Sequence, residues 1–166
     1  LNIQDTELDY HPDWPAIQGI DGVVLISDTD VSVWAEQARL YDSHVEQLSA
    51  EAWMNDSRQI MLAIDARMSG DATDGLRVIN ESLLGPLAGN AFANWEANGG
   101  LETRLGLVLN LADKTIPPEV DVQTRWQNVA LAVQPGNLAV DSVNGLLSYR
   151  SQTGFSSRDL VASLWG

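Results

Sequence analysis

The chain contains no cysteine in 166 residues, which excludes a disulfide framework and any thiolate-ligated metal. Lysine is nearly absent: Lys114 stands alone, and nine basic residues face 23 acidic ones, for a formal net charge of −14. Nucleic-acid binding needs a basic stripe to displace counterions from phosphates, and none exists. An anionic membrane surface repels such a chain as a whole. No stretch approaches the roughly 18–20 consecutive apolar residues of a membrane-spanning helix. Only two histidines occur, His11 and His44, neither within HExxH. The GxSxG elbow, the GxxxxGK[ST] loop and GxGxxG are also missing, so no motif calls for a cofactor or a catalytic nucleophile. Leu1-Asn2-Ile3-Gln4 carries neither an initiator Met nor a signal peptide, and Leu164-Trp165-Gly166 reads as a strand end. Both ends lead to the expectation of a fragment of a longer chain.

What is present is 45% hydrophobic residue in short, alternating runs, enough for a packed core. The opening to residue 16 holds Pro12 and Pro15 and reads as irregular. Gly22 to Ser27 and Val31 to Ala35 predict a hairpin about Asp28-Thr29-Asp30, and Val45 to Trp53 with Ile60 to Met68 a second about Asn55-Asp56-Ser57. Residues 71–98 change character. Leu76, Ile79, Leu83 and Leu84 have helical spacing, with Thr73 or Asp74 as cap. Pro86 then opens a second helix carrying Leu87, Ala91, Phe92 and Trp95, stopped by Asn98-Gly99-Gly100. Strands resume with Leu101, Leu105, Leu107, Leu109 and Leu111 on alternate positions. Val120, Val122, Thr124 and Trp126 alternate next, after which the apolar phase slips to Val129, Leu131 and Val133, the signature of a β-bulge. Leu138 to Arg150 and Phe155 to Trp165 predict two closing strands. The expected fold is mostly β with one or two short helices (α+β): 17–70 β, 71–98 a helical insert, 99–166 β, all in one fragment. Ile20-Asp21-Gly22 before one hairpin is matched by Val143-Asn144-Gly145 before another, a loose internal repeat.

Candidate chemistry is sparse. Asp28 with Asp30 and Asp71 with Asp74 are the acidic pairs a glycoside hydrolase would need, but both lie where turns and helix starts favour Asp. Six tryptophans (Trp14, Trp34, Trp53, Trp95, Trp126, Trp165) suit a sugar-binding face, a lipid groove or plain core filling. The leucine ladder reads first as a face packed into a core, with an open groove as the other reading.

Three stretches resemble one family. Trp14-Pro15-Ala16-Ile17-Gln18-Gly19-Ile20-Asp21-Gly22 is similar to its lead into a strand. Leu83-Leu84-Gly85-Pro86-Leu87, then Trp95-Glu96-Ala97-Asn98-Gly99-Gly100 and a leucine strand, is similar to its mid-repeat segment. Val143 to Tyr149 through Leu160 to Gly166 resembles its closing unit. The family is the AsmA-like envelope proteins, YhdP branch. The resemblance implies a long, curled, bridge-type antiparallel sheet in the periplasm, with an apolar groove along which phospholipid acyl chains pass between inner and outer membrane. It further implies an inner-membrane anchor outside this chain and no catalytic residues. On that basis the groove candidates are Leu105, Leu107, Leu109, Leu111, Val120, Val122 and Trp126. Open strand edges also predict self-association of a fragment. The competing expectation is a β-sandwich module binding carbohydrate through exposed tryptophans.

Overall fold

The computed structural model describes residues 1–113, 115–136 and 138–164, with Leu87 and Leu164 described by their backbone alone. Among the described residues nine strands run in chain order: β1 (Asn2–Leu8), β2 (Ile17–Ile26), β3 (Asp30–Leu40), β4 (Ser43–Met54), β5 (Ile60–Asp71), β6 (Glu96–Asn110), β7 (Glu119–Val133), β8 (Leu138–Arg150) and β9 (Gly154–Leu164). Each pairs antiparallel with the next, giving one nine-stranded meander with β1 and β9 at its edges. Two short helices, α1 (Ala72–Asn80) and α2 (Leu84–Leu87), interrupt it between β5 and β6. Among the described residues there is one sheet, not two, so the sandwich expectation fails.

Local chemistry sets the turns. Asn55 Oδ1 accepts from the Ser57 and Gln59 amides at 3.0 and 2.9 Å, closing β4 onto β5. Asn110 Oδ1 accepts from the Ala112 and Asp113 amides at 3.0 and 2.9 Å where β6 ends. Between these turns the strands are long, and β6 and β7 have 15 residues each.

Alternation sorts the two faces. One row of directly paired residues crosses from β3 to β9 as Ala35, Leu48, Ala66, Leu105, Val122, Tyr149 and Phe155. The next row is Val24, Val33, Ala50, Ile64, Leu107 and Val120. On the reverse, Trp34, Ser49, Asp65, Gly106, Asp121 and Arg150 lie in register. One face is therefore mostly apolar, with Thr103 and Thr124 in the row beside Leu105 and Val122, and the other mostly polar, as a period of two allows. The core lies on the apolar face, where Ile20, Val45, Ile64 and Leu107 are almost wholly buried.

The bulge expected after Trp126 is present: the β7–β8 register shifts between Trp126 and Val129, and Asn128 takes a left-handed φ of 50°. Four expectations need correction. The opening is not all irregular, because residues 2–8 form β1. An edge strand needs only one paired side, and the prolines fall in the following loop. The cap of α1 is Asp71, two residues before Thr73 and three before Asp74. The second helix is one turn long, and 88–94 is a string of turns, since Gly89 and Asn90 adopt left-handed φ of 63° and 54°. Finally, Asn98-Gly99-Gly100 does not stop a helix but lies inside β6. Trp165 and Gly166, which the sequence assigns to the last strand and closing unit, lie outside the described residues.

Candidate functional site

The insert between β5 and β6 folds onto the apolar face, and its ends are tied down by polar contacts. At the start of α1, Asp71 Oδ1 accepts from the Thr73 amide and hydroxyl at 2.8 and 2.7 Å, while Oδ2 accepts from the Gly99 amide at 2.9 Å. Burial opposes the Asp71 charge, but these donors outweigh it and hold the carboxyl below its ordinary range. Thr73 also donates to the Ala97 carbonyl at 2.7 Å. Beneath the first turn, the buried Ser43 hydroxyl donates to buried Asp74 at 2.6 Å. Gly70 is required beside it, because a Cβ there would collide with the Ser43 side chain. At the other end, Glu81 accepts from Arg77 Nε at 2.9 Å and from the Tyr41 hydroxyl at 2.7 Å. The Arg77 guanidinium lies 3.9 Å over the Tyr41 ring. Burial, then the hydrogen bond to Glu81, push the Tyr41 phenol up to about 12.

Between this cover and the sheet runs a crevice of about 140 Å³. Its roof comes from Trp14, Leu76, Ile79, Leu84 and Phe92, and its floor from Met68, Leu101, Leu105, Val122, Trp126 and Tyr149. Almost everything it exposes is carbon. The Trp126 indole N–H is spent on Thr124 Oγ1 at 2.7 Å, leaving the ring as an apolar surface. At the β8–β9 end Phe92 stands edge-on to Trp95 at 4.9 Å and to Phe155 at 5.9 Å, and Tyr149 meets Phe155 at 4.8 Å. Trp14, 5% exposed, keeps an indole N–H without a partner, the one such buried side-chain atom among the described residues.

A larger open hollow of about 1170 Å³ occupies the opposite face. Trp34, Gln47, Asp65, Arg67, Arg104 and Gln123 line it, and Arg150 donates to Asp121 at 2.8 Å at its side. Size favours the hollow. Chemistry decides otherwise for hydrocarbon, because charged and amide groups lose hydration without gaining partners when an alkyl chain covers them.

All seven residues singled out from the sequence lie on the apolar face, but they divide. Leu107, Leu109 and Val120 are 1%, 4% and 3% exposed and belong to the packed core. Leu105, Leu111 and Val122 are half-buried against that core. Trp126 joins a second cluster around Ala72, Val129 and Val143. Only Leu105, Val122 and Trp126 line the crevice. The residues that sequence reasoning missed are the aromatic rim, Phe92, Tyr149 and Phe155. The helical spacing puts Phe92 on the second helix, and the other two bracket the β8–β9 turn, where alternation is too short to show a shared face.

Three of the four acidic candidates have structural contacts. Asp30 accepts from the Thr29 hydroxyl at 2.9 Å in the β2–β3 turn, and Asp71 and Asp74 hold α1. His11 Nδ1 accepts from the Asp13 amide at 3.1 Å. Of the described tryptophans Trp34 alone is exposed, at 48%, on the polar face.

No helix among the described residues is long and apolar enough to cross a membrane. No curated protein and no solved structure matches the chain. One family model does, over the whole of residues 1–166, and its description is YhdP protein. With the sequence resemblance and the single long antiparallel sheet, this places the chain in the YhdP branch of the AsmA-like envelope proteins.

Proposed function

We propose that this chain is a non-catalytic, periplasmic segment of an inner-membrane-anchored envelope protein, and that it carries phospholipid acyl chains between the two membranes along its apolar face. This transport would support outer-membrane lipid homeostasis and barrier function. The observation that carries the reading is the crevice: a largely carbon-lined slot, roofed by a polar-anchored insert, on the mostly apolar face of the sheet. Its 140 Å³ is close to the roughly 150 Å³ of a dry apolar cavity that takes a benzene-sized guest, so it suits a few methylenes of one chain. Moving hydrocarbon through water costs about 0.8 kcal/mol per methylene, so a continuous apolar path removes a barrier without any chemical step. Lipid contact on this reading falls to Leu105, Val122 and Trp126, with Leu107, Leu109 and Val120 forming the wall behind them.

The test is photocrosslinking in cells, with a photoreactive residue at Val122 or Leu105 of the parent protein and at Gln123 as the control on the polar face. Phospholipid adducts at Val122 and Leu105 alone support the reading. Adducts at none, in a folded and correctly localised protein, refute it. A second reading rests on Trp34, an exposed indole in a hollow lined by amides and charges, which is the chemistry of a saccharide-binding face. Quenching of Trp34 fluorescence by glycan fragments, lost in Trp34→Ala, would favour it.

A further inference from the structure

Two strand junctions share an uncommon arrangement. In β1, Asp5 adopts a left-handed φ of 47°, and its amide donates to Asp21 Oδ1 of β2 at 2.9 Å. In β7, Asn128 adopts φ 50°, and its amide donates to Asn144 Oδ1 of β8 at 3.0 Å. The accepting residue sits in the same local pattern both times: a left-handed residue (Gly19, Ser142), a buried apolar residue (Ile20, Val143), the Asx, then Gly22 or Gly145. A left-handed bulge in one strand is thus capped by an apolar–Asx–Gly sequence in the strand after it.

The glycine has its own partner on the far side. A Cβ on Gly99 of β6 would lie 2.7 Å from the Asn128 carbonyl oxygen and 2.8 Å from the Val129 Cα in β7. A Cβ on Gly145 of β8 would lie 2.5 Å from the Asp159 carbonyl oxygen and 2.7 Å from the Leu160 Cα in β9. Asp159 is left-handed as well, with φ 54°. The β8–β9 junction therefore repeats the β6–β7 junction, and β9 stands where β7 stands. One difference remains. Val129, the residue after the bulge in β7, is wholly buried, whereas its counterpart Leu160 is 45% exposed and Val161 66% exposed.

We propose that the β9 edge is a receptor for one more antiparallel strand, and that the partner is recognised by an apolar–Asx–Gly sequence whose Asx side chain caps the Asp159 amide. A second copy of this chain does not supply it: its three such strands, β2, β6 and β8, are paired on both sides, and its open edges, β1 and β9, have no Asx–Gly. The bulge sets the register as well as the affinity. A partner slipped by one residue presents its Asx to the wrong amide and turns its apolar residue away from Leu160. The inference is independent of what the apolar face carries.

The experiment uses the whole chain and a labelled synthetic peptide with the sequence of residues 138–150, which contains Val143-Asn144-Gly145. The expected result is saturable binding by fluorescence anisotropy, with amide hydrogen exchange slowed at Asp159, Leu160 and Val161. The peptide carrying Asn144→Ala should bind about tenfold more weakly, as loss of a side-chain cap on a backbone amide predicts. Asp159→Val in the protein, which disfavours the left-handed backbone, should cause a similar loss, while Asp159→Gly should retain binding. Equal binding of the Asn144→Ala peptide overturns the proposal. So does slowed exchange elsewhere without change at Asp159, or no binding at millimolar peptide.

Discussion

Leu107→Ala distinguishes a wall residue from a groove residue. Leu107 is 1% exposed, flanked in register by Ile64 on β5 and Val120 on β7, both also buried. The substitution removes the equivalent of three methyl or methylene groups, worth about 2.4 kcal/mol of transfer free energy at 0.8 each. Strands on both sides are pinned in an eleven-pair ladder with β5 and a long ladder with β7, so the site collapses poorly and a cavity term adds to the loss. The expected total is about 3–4 kcal/mol. For a chain of this size that lowers Tm by about 6–16 °C. Urea unfolding followed by tryptophan fluorescence gives the free energy, and a thermal scan gives Tm. Leu105→Ala, at a half-buried crevice position, should lose less, because its cavity opens onto space already present. If Leu107→Ala leaves the lipid-free protein within about 0.5 kcal/mol of the parent, the residue is not held by protein and the division of the ladder argued above is wrong.

The helix cap gives a second expectation: Asp71→Ala should cost about 1 kcal/mol and loosen the insert, seen as faster amide exchange at Thr73 and Gly99. Its pH dependence has a defined sign. The folded carboxyl is held below its ordinary value, so its contribution is present above about pH 3.9 and fades as pH falls through the lower folded pKa. Loss of Thr73 protection already between pH 7 and 5 would contradict that assignment. Gly99→Ala places a Cβ 2.7 Å from the Asn128 carbonyl oxygen at φ +121°, whereas Gly106→Ala meets nothing closer than 3.6 Å. The first should destabilise by more than about 1 kcal/mol and the second by clearly less, a ranking that denaturant midpoints can check. Arg150→Ala breaks an exposed ion pair with Asp121 and should change stability by under about 1 kcal/mol at moderate salt.

Much of the fold was legible because β alternation reports a local property. The β2–β3 and β4–β5 hairpins and strand β8 appear near their expected residues, and the phase slip after Trp126 marks a real bulge. The signal failed where short-range preference was overruled. The opening had prolines beside a strand, and an edge strand tolerates that neighbourhood. Residues 88–95 had helical spacing, but Gly89 and Asn90 turn the chain, and Phe92 packs on Trp95 and Phe155 instead of along a helix. For the crevice, alternation put the seven candidates on the apolar face and could not rank their burial. Leu105 and Leu107 are two positions apart on one strand and look alike in any pattern, yet one borders a crevice and the other is sealed.

The sequence by itself determined the alternation that separates an apolar from a polar face, the absence of cysteine and of a basic stripe, and the breaker-rich insert between two long β segments. These depend on residue type and spacing, which a chain carries without being folded. The tertiary structure alone decided that all nine strands join one sheet and that the insert roofs one end of the apolar face. It also decided which left-handed residues find an Asx across the ladder. Those outcomes depend on contacts between residues far apart in sequence. Depth of burial is likewise a property of everything packed around a side chain, so Leu107 is sealed while Leu105 borders the crevice.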